Sequence, residues 1–232
     1  MNKVCAILGA GPGNGAALAR KFSSRGYAVA LCARDEQRLR DIAAPLQDTH
    51  AYVYDVRDPD APARVFAQIR AELGPVETLI YNAGAGRFAS LDEATVDDFQ
   101  AAWEVNARGL FQAAQAVVPD MRAAGGGNIV VIGATASVRA GAGFAPFASA
   151  KFAQRGLAQS MARQLGPERI HVACVIIDGI IDLPRTRTWL PDKPDDFFMR
   201  ADQIAESVYF LTQQPSQAWT FELDLRPYGE KW

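Results

Sequence analysis

Histidine is nearly absent: the 232-residue chain has two, His50 and His171. Each falls at the start of an apolar stretch, which argues against a histidine-based triad or a histidine metal site. Cysteine is almost as scarce. Cys5, Cys32 and Cys174 lie far apart in apolar runs with no C-x-x-C spacing. They read as buried free thiols rather than metal ligands or a disulfide framework, a usage expected of a reducing cytoplasm. An excess of one charge is missing too. With 24 Lys+Arg against 26 Asp+Glu, the net charge of −2 offers no basic footprint for nucleic acid. No apolar run reaches the roughly 18 residues that a membrane-crossing helix needs. The opening residues, Met1-Asn-Lys-Val-Cys5, lead at once into a glycine loop and read as a strand, not a signal peptide.

What the chain does have is alternation. Short apolar runs predict strands over 4–8, 28–32, 51–54, 78–81, 128–132, 171–177 and 220–223. Amphipathic patterns between them predict helices over 16–25, 35–46, 61–73, 96–121, 147–165 and 201–213. Apolar strands alternating with helices imply a parallel sheet covered on both faces, a Rossmann-type three-layer α/β/α fold. The glycines at 125–127 stop a helix before a strand. No repeat, low-complexity tract or linker interrupts the pattern, so residues 1–232 are expected to form a single domain.

The first strand, a glycine loop and a helix follow one another at Gly9-Ala-Gly-Pro-Gly-Asn-Gly15. In that setting glycines permit a sharp turn and a close backbone approach to a pyrophosphate, while the helix start supplies N–H groups and a positive dipole end. Two registers fit, Gly11-x-Gly13-x-x-Ala16 and Gly9-x-x-x-Gly13-x-Gly15. The expected cofactor contacts here are Gly9, Gly11, Pro12, Gly13, Asn14 and Gly15. In such folds the end of the second strand meets the adenosine ribose, where a carboxylate selects NAD and an arginine accepts the extra phosphate of NADP. This strand ends Cys32-Ala33-Arg34-Asp35, with Arg38 one helical turn further on. Arg34, with no carboxylate at Ala33, predicts NADP(H) over NAD(H). A solvated loop arginine, with Asp35 capping the next helix, is the other reading.

Further landmarks fall in a known order: Asp55-Val56 after the third strand, Asn82-Ala83-Gly84 after the fourth, Asn106 on the long helix, and Lys151 on the next. With the glycine loop they make the chain resemble the short-chain dehydrogenases and reductases from Lys3 to about residue 180, and more loosely beyond. The resemblance implies a seven-stranded sheet in the order 3-2-1-4-5-6-7. It places Asp55 and Val56 beside the adenine, and Asn82, Ala83, Gly84 and Gly179 along the cofactor. It implies that Lys151 holds the nicotinamide ribose and that Asn106 binds a water or backbone group nearby. Helix pairing implied by the family predicts a homodimer or homotetramer, with apolar excess at Phe111, Val117, Met121, Phe152, Leu157 and Met161.

The chain also departs from that pattern. The family's Tyr-x-x-x-Lys becomes Phe147-Ala-Ser-Ala-Lys151, and the position implied for its serine is Ala134, with Thr135 and Ser137 close by. Beyond the sixth strand, Asp178-Gly-Ile-Ile-Asp-Leu183 replaces the usual Pro-Gly and the threonine after it. Asp178 would then lie near the reactive ring, as a substitute proton carrier or as a turn cap. Residues 184–200, with Trp189, Phe197 and Phe198, resemble a substrate-covering segment whose aromatics suit an apolar pocket or simple lid packing. Three functions stay open. One is an NADP(H)-dependent oxidoreductase acting on a small carbonyl or alcohol. Another is a catalytically silent NADP(H)-binding protein. The last is an enzyme drawing its proton from water, substrate or Asp178.

Overall fold

Residue-by-residue alternation in the strands fixes the layers. A computed structural model describes residues 3–230 of the chain. In β1 (Lys3–Leu8), Val4, Ala6 and Leu8 point to one face and Cys5 and Ile7 to the other. All five are fully buried, because helices cover both faces. On the first face lie α3 (Ala61–Glu72), α5 (Gly109–Ala124) and α6 (Ala145–Leu165). On the second lie α1 (Asn14–Ser23), α2 (Glu36–Ala43) and α8 (Ala201–Thr212).

The remaining strands are β2 (Tyr27–Ala33), β3 (Thr49–Val53), β4 (Val76–Tyr81), β5 (Gly127–Ile132), β6 (Ile170–Ile177), β7 (Ile180–Ile181), β8 (Phe198–Met199) and β9 (Glu222–Leu225). Seven form a parallel sheet in the order β3-β2-β1-β4-β5-β6-β9. That is the expected arrangement, with its last strand two residues later than 220–223. β7 and β8 pair separately. Two-residue ladders carry no periodicity, so nothing in the sequence announced them.

The helix expected over 96–121 is broken into α4 (Val96–Trp103) and α5 by a wide turn at Glu104–Arg108. Thr95 and Asp98 cap its start reciprocally: the Asp98 N–H donates to Thr95 Oγ1 and the Thr95 N–H to Asp98. The lid segment contains α7 (Pro184–Trp189) and a short turn at Asp195–Phe197. Phe198 is buried there, while Trp189 lies exposed beside Arg185. Phe198 packs against Phe197 and the Arg187 guanidinium and also lines a second cleft with Met199, Arg226 and Tyr228.

Strand order reverses at β1, with β2 on one side and β4 on the other. Leu8 is in register with Cys32 and with Tyr81, so three strand ends open together. A crevice at such a switch point is where this architecture binds ligands.

Candidate functional site

The crevice is a cleft of about 770 Å³. Its walls include Gly9, Gly11, Arg34, Asp55, Asn82 and Gly84, six of the residues expected from the sequence. The floor is built by close backbone packing. Gly9 has φ +83°, and a Cβ there would lie 2.5 Å from the Ala83 backbone, so only glycine fits. Asn82 Nδ2 donates to the Gly9 carbonyl at 2.8 Å, and the Asn82 N–H to the Leu8 carbonyl at 2.9 Å. The Asn82 side chain thus holds the glycine turn. Pro12 and Gly13 lie in the turn before α1, and Asn14 and Gly15 form its start. No side-chain cap or acidic residue occupies that first turn, which leaves it suited to an anion. Asn14 Oδ1 is buried without a hydrogen-bond partner.

At the adenosine end, Arg34 is exposed and forms no hydrogen bond or ion pair among the described residues. Arg38 lies 3.3 Å from Asp35, whose carboxylate accepts from the Arg38 N–H and caps α2. Arg57 also lines the cleft and was not anticipated. Its backbone N–H donates to Asp55 at 2.9 Å and its guanidinium lies 3.2 Å away. Burial raises the Asp55 carboxyl, but these bonds and the charge of Arg34 outweigh it and leave the group below the ordinary carboxylate value. Asp55 is thus tied back by its neighbour two residues on, at an Asx-type turn that the sequence pattern D-x-R could have suggested. Val56 packs over Gly109.

At the other end lies a buried polar cluster. Lys151 Nζ donates to the Ile132 carbonyl at 3.0 Å and to Gln154 Oε1 at 2.9 Å. Asn106 Nδ2 donates to the carbonyls of Ala85, at 2.6 Å, and Ala102, at 2.8 Å, while Asn106 Oδ1 has no partner. The second bond lies at the start of the wide turn, four residues back along the helix. A Cβ at Gly84 would sit 3.3 Å from Lys151 Nζ and 3.4 Å from Asn106 Oδ1. A spare donor and an orphaned acceptor therefore flank Gly84, in the wall of the cleft. Desolvation lowers the Lys151 ammonium from its ordinary 10.5 to about 8.

Phe147 is half-buried one turn before Lys151. Its ring stands edge-on to Phe88 at 5.3 Å, packs against Gly86, and lies 5.9 Å from Lys151 Nζ. Ala134 opens a tight turn that carries two hydroxyls, at Thr135 and Ser137. Ser137 is fully buried and its Oγ accepts the Ala134 N–H at 3.1 Å. Thr135 Oγ1 donates to Asp178 at 2.7 Å. Asp178 faces Arg139 at 3.4 Å and Arg226 at 3.3 Å as well. The expectation that Asp178 caps a turn is corrected: its carboxylate clasps the β5 turn, Arg139 and the segment after β9. Gly179 is tightly packed. A Cβ there would strike Pro227 at 2.6 Å, so close packing also accounts for the glycine. Leu183 packs onto Gly13: a Cβ on that glycine would lie 2.7 Å from its side chain. Among the described residues no group of His, Cys, Asp and Glu is placed to hold a metal ion, and no helix is long and apolar enough to cross a membrane.

The family model for short chain dehydrogenases matches residues 3–193. The chain belongs to the short-chain dehydrogenase family. It is 36% identical to a short-chain dehydrogenase from Rhodopseudomonas palustris, whose crystal structure matches with a TM-score of 0.85 over 98% of this chain and 100% of that one. It is 27% identical to an alcohol dehydrogenase from Thermococcus sibiricus complexed with 5-hydroxy-NADP, with a TM-score of 0.89 over 100% and 99%. The 3-oxoacyl-[acyl-carrier-protein] reductase of Salmonella typhimurium is 30% identical, over 95% of this chain and 93% of that protein.

Within this short-chain dehydrogenase the expected residues divide into two groups. The glycine turn, Arg34, Asp55, Asn82, Ala83 and Gly84 surround one cleft, and Asn106 and Lys151 meet behind Gly84. Asp178, Ala134 and the two nearby hydroxyls form a separate clasp. Of the six apolar residues expected to pair helices, Val117, Met121 and Met161 are buried against the sheet and Leu157 packs on the same core. Only Phe111 and Phe152 stand out, 46% and 44% exposed. Gln154 and Arg57 were missed by sequence reasoning.

Proposed function

We propose that this short-chain dehydrogenase is an NADP(H)-dependent oxidoreductase acting on a small carbonyl or alcohol through a site that lacks the family's phenol. The observation that carries the reading is Arg34, unpaired at the cleft wall with Ala33 in place of a carboxylate. The residues present fit the cofactor: a turn in which Gly9 and Gly15 leave no room for a Cβ, an uncapped helix start, and an unpartnered acceptor beside a buried ammonium at Gly84. The cofactor would supply hydride transfer; the chain supplies position. Arg34 holds the 2′-phosphate by a planar fork. The start of α1 receives the pyrophosphate, and Lys151 with Asn106 fixes the nicotinamide ribose. The proton comes from solvent or from the substrate itself.

The clasp favours a second reading, a catalytically silent NADP(H)-binding protein. Phe147 has no proton to give, Thr135 and Asp178 are hydrogen-bonded to each other, and Ser137 is fully buried. In either case the working form is a homodimer or homotetramer that buries Phe111 and Phe152, and a single-chain mass by light scattering at micromolar concentration would contradict it.

Thermal melting tests the cofactor assignment. Cofactor at about 100 times its dissociation constant adds roughly 2.7 kcal/mol of stability. NADPH should raise the melting temperature more than NADH at equal concentration. Arg34→Ala should shrink the NADPH shift and leave the NADH shift nearly unchanged. Equal shifts with both cofactors in the unaltered protein would remove the case for NADP(H).

A further inference from the structure

Gln154 holds no part of the cofactor, yet it is 1% exposed and sits in the middle of the polar cluster. An uncharged amide so deeply buried must have its hydrogen-bonding groups satisfied, or it costs stability. Both ends are used. Its Oε1 accepts from Lys151 Nζ at 2.9 Å, and its Nε2 donates at 2.9 Å to the backbone carbonyl of Asn106. That carbonyl lies inside the wide turn at Glu104–Arg108, where helical partners are displaced. Lys151 and Gln154 are three residues apart on α6 and therefore share a face. The chain of bonds runs from β5 through α6 to the wide turn, and on through the Asn106 side chain to Ala85 in the cleft wall.

We propose that Gln154 is a positioning residue of the cofactor site, aiming the Lys151 ammonium at the ribose side of the cleft by bracing it against the Asn106 carbonyl. The proposal rests on the reading that Lys151 holds the cofactor. The lysine has a long stem and three donors. With two donors pinned on Ile132 and Gln154, the remaining one is left for the space beside Gly84. Without Gln154, only the Ile132 carbonyl would hold it, and the ammonium would swing within the space an apolar side chain leaves. The neighbours of Nζ are few: the Ile132 carbonyl on β5, Gln154 and the Phe147 ring on α6, Gly84 on the loop, and Asn106 on the wide turn. Cys174 on β6 is the titratable group that acts on it, and burial holds that thiol neutral by pushing it up to about 12.

The test is NADPH affinity as a function of pH, by fluorescence titration, in the full-length protein and in Gln154→Leu and Gln154→Glu. The unaltered protein should lose affinity as Lys151 loses its proton. Gln154→Leu should bind NADPH at least tenfold more weakly at pH 7. It should keep its affinity for adenosine 2′,5′-bisphosphate, which lacks the nicotinamide ribose. Gln154→Glu keeps an acceptor for Lys151 and adds a negative charge. It also loses the donor to the Asn106 carbonyl, so it should bind NADPH severalfold more weakly than the unaltered protein at pH 7, and it should carry its loss of affinity to a pH at least one unit higher. The midpoint reports that Lys151 governs binding from beside residue 154, and the affinity lost at pH 7 reports the lost brace. If Gln154→Leu does not fold, the affinity of Gln154→Glu at pH 7 decides alone. An unchanged midpoint or affinity in Gln154→Glu, or unchanged NADPH affinity in Gln154→Leu, overturns the proposal. If the unaltered protein binds no NADPH, it is the cofactor reading that fails, and the proposal falls with it.

Discussion

Given NADPH and a panel of simple ketones, the protein should reduce them very slowly or not at all while its cofactor site stays intact. A positioned general acid is worth about 10²–10⁴ in rate. The phenol that the family resemblance puts in that role is absent here. Phe147 keeps the ring and its packing against Gly86 and Phe88 but has no O–H. Thr135 donates to Asp178, and Ser137 is fully buried. Asp178 itself is hemmed in by Thr135, Arg139 and Arg226. Phe147→Tyr alone should help little. Ala134 still leaves the carbonyl unheld, and orienting the substrate can matter more to the rate than supplying its proton. Ala134→Ser combined with Phe147→Tyr should raise ketone reduction about a hundredfold or more. Steady-state assays of the three proteins check this. Rapid reduction by the unaltered protein would show that another group supplies the proton. Asp178→Asn would then be the first variant to make, and an unchanged rate would clear that carboxylate.

The second large effect concerns Lys151 in the protein without cofactor. Its proton is bound with a pKa of about 8 in the folded chain, against 10.5 ordinarily, because burial strips the ammonium of water. Below about pH 8 both folded and unfolded chains carry the proton, and the cost of burying the charge is fully present. Between about 8 and 10.5 the unfolded chain binds more protons than the folded one, so stability rises with pH. Above that window the gain levels off. The shift corresponds to roughly 3 kcal/mol at 1.36 kcal/mol per pKa unit. Lys151→Met has no such group. Denaturant unfolding at pH 7 and pH 10 should therefore show the unaltered protein gaining on the variant by roughly 2–3 kcal/mol as pH rises. A stability difference that does not change with pH would mean that the ammonium is not desolvated. The variant should also bind NADPH at least tenfold more weakly, having lost the donor beside Gly84.

The parts of this structure written into local chemistry were legible in advance. Alternation within Val4–Leu8, and the repeated apolar runs after it, announced a parallel sheet with two covered faces. Gly9, Arg34 and Asn82 follow strand ends and so were bound to meet at one crevice. What escaped depends on contacts across long stretches of sequence. Gln154 is a polar residue on a helix, which ordinarily means a solvent-facing one; its partner carbonyl belongs to Asn106, 48 positions away. The wide turn at Glu104–Arg108 sits inside an unbroken amphipathic pattern that reads as one helix. Asp178 occupies a turn, and turn chemistry suggested a cap; the two arginines that claim it come from opposite sides in sequence, at 139 and 226. The apolar residues expected to pair helices between chains were judged by composition, and most of them face the sheet instead. Departures from the family pattern at Phe147 and Ala134 were plain in the sequence, but the bond from Thr135 to Asp178 and the burial of Ser137 required the fold.

The assignment of the cleft is tested most directly by calorimetric titration of the unaltered protein with NADPH and, separately, with NADH at pH 7. One NADPH should bind per chain, with a dissociation constant at least tenfold below that of NADH. No binding of either cofactor would contradict the assignment, whatever the chemistry beside Phe147.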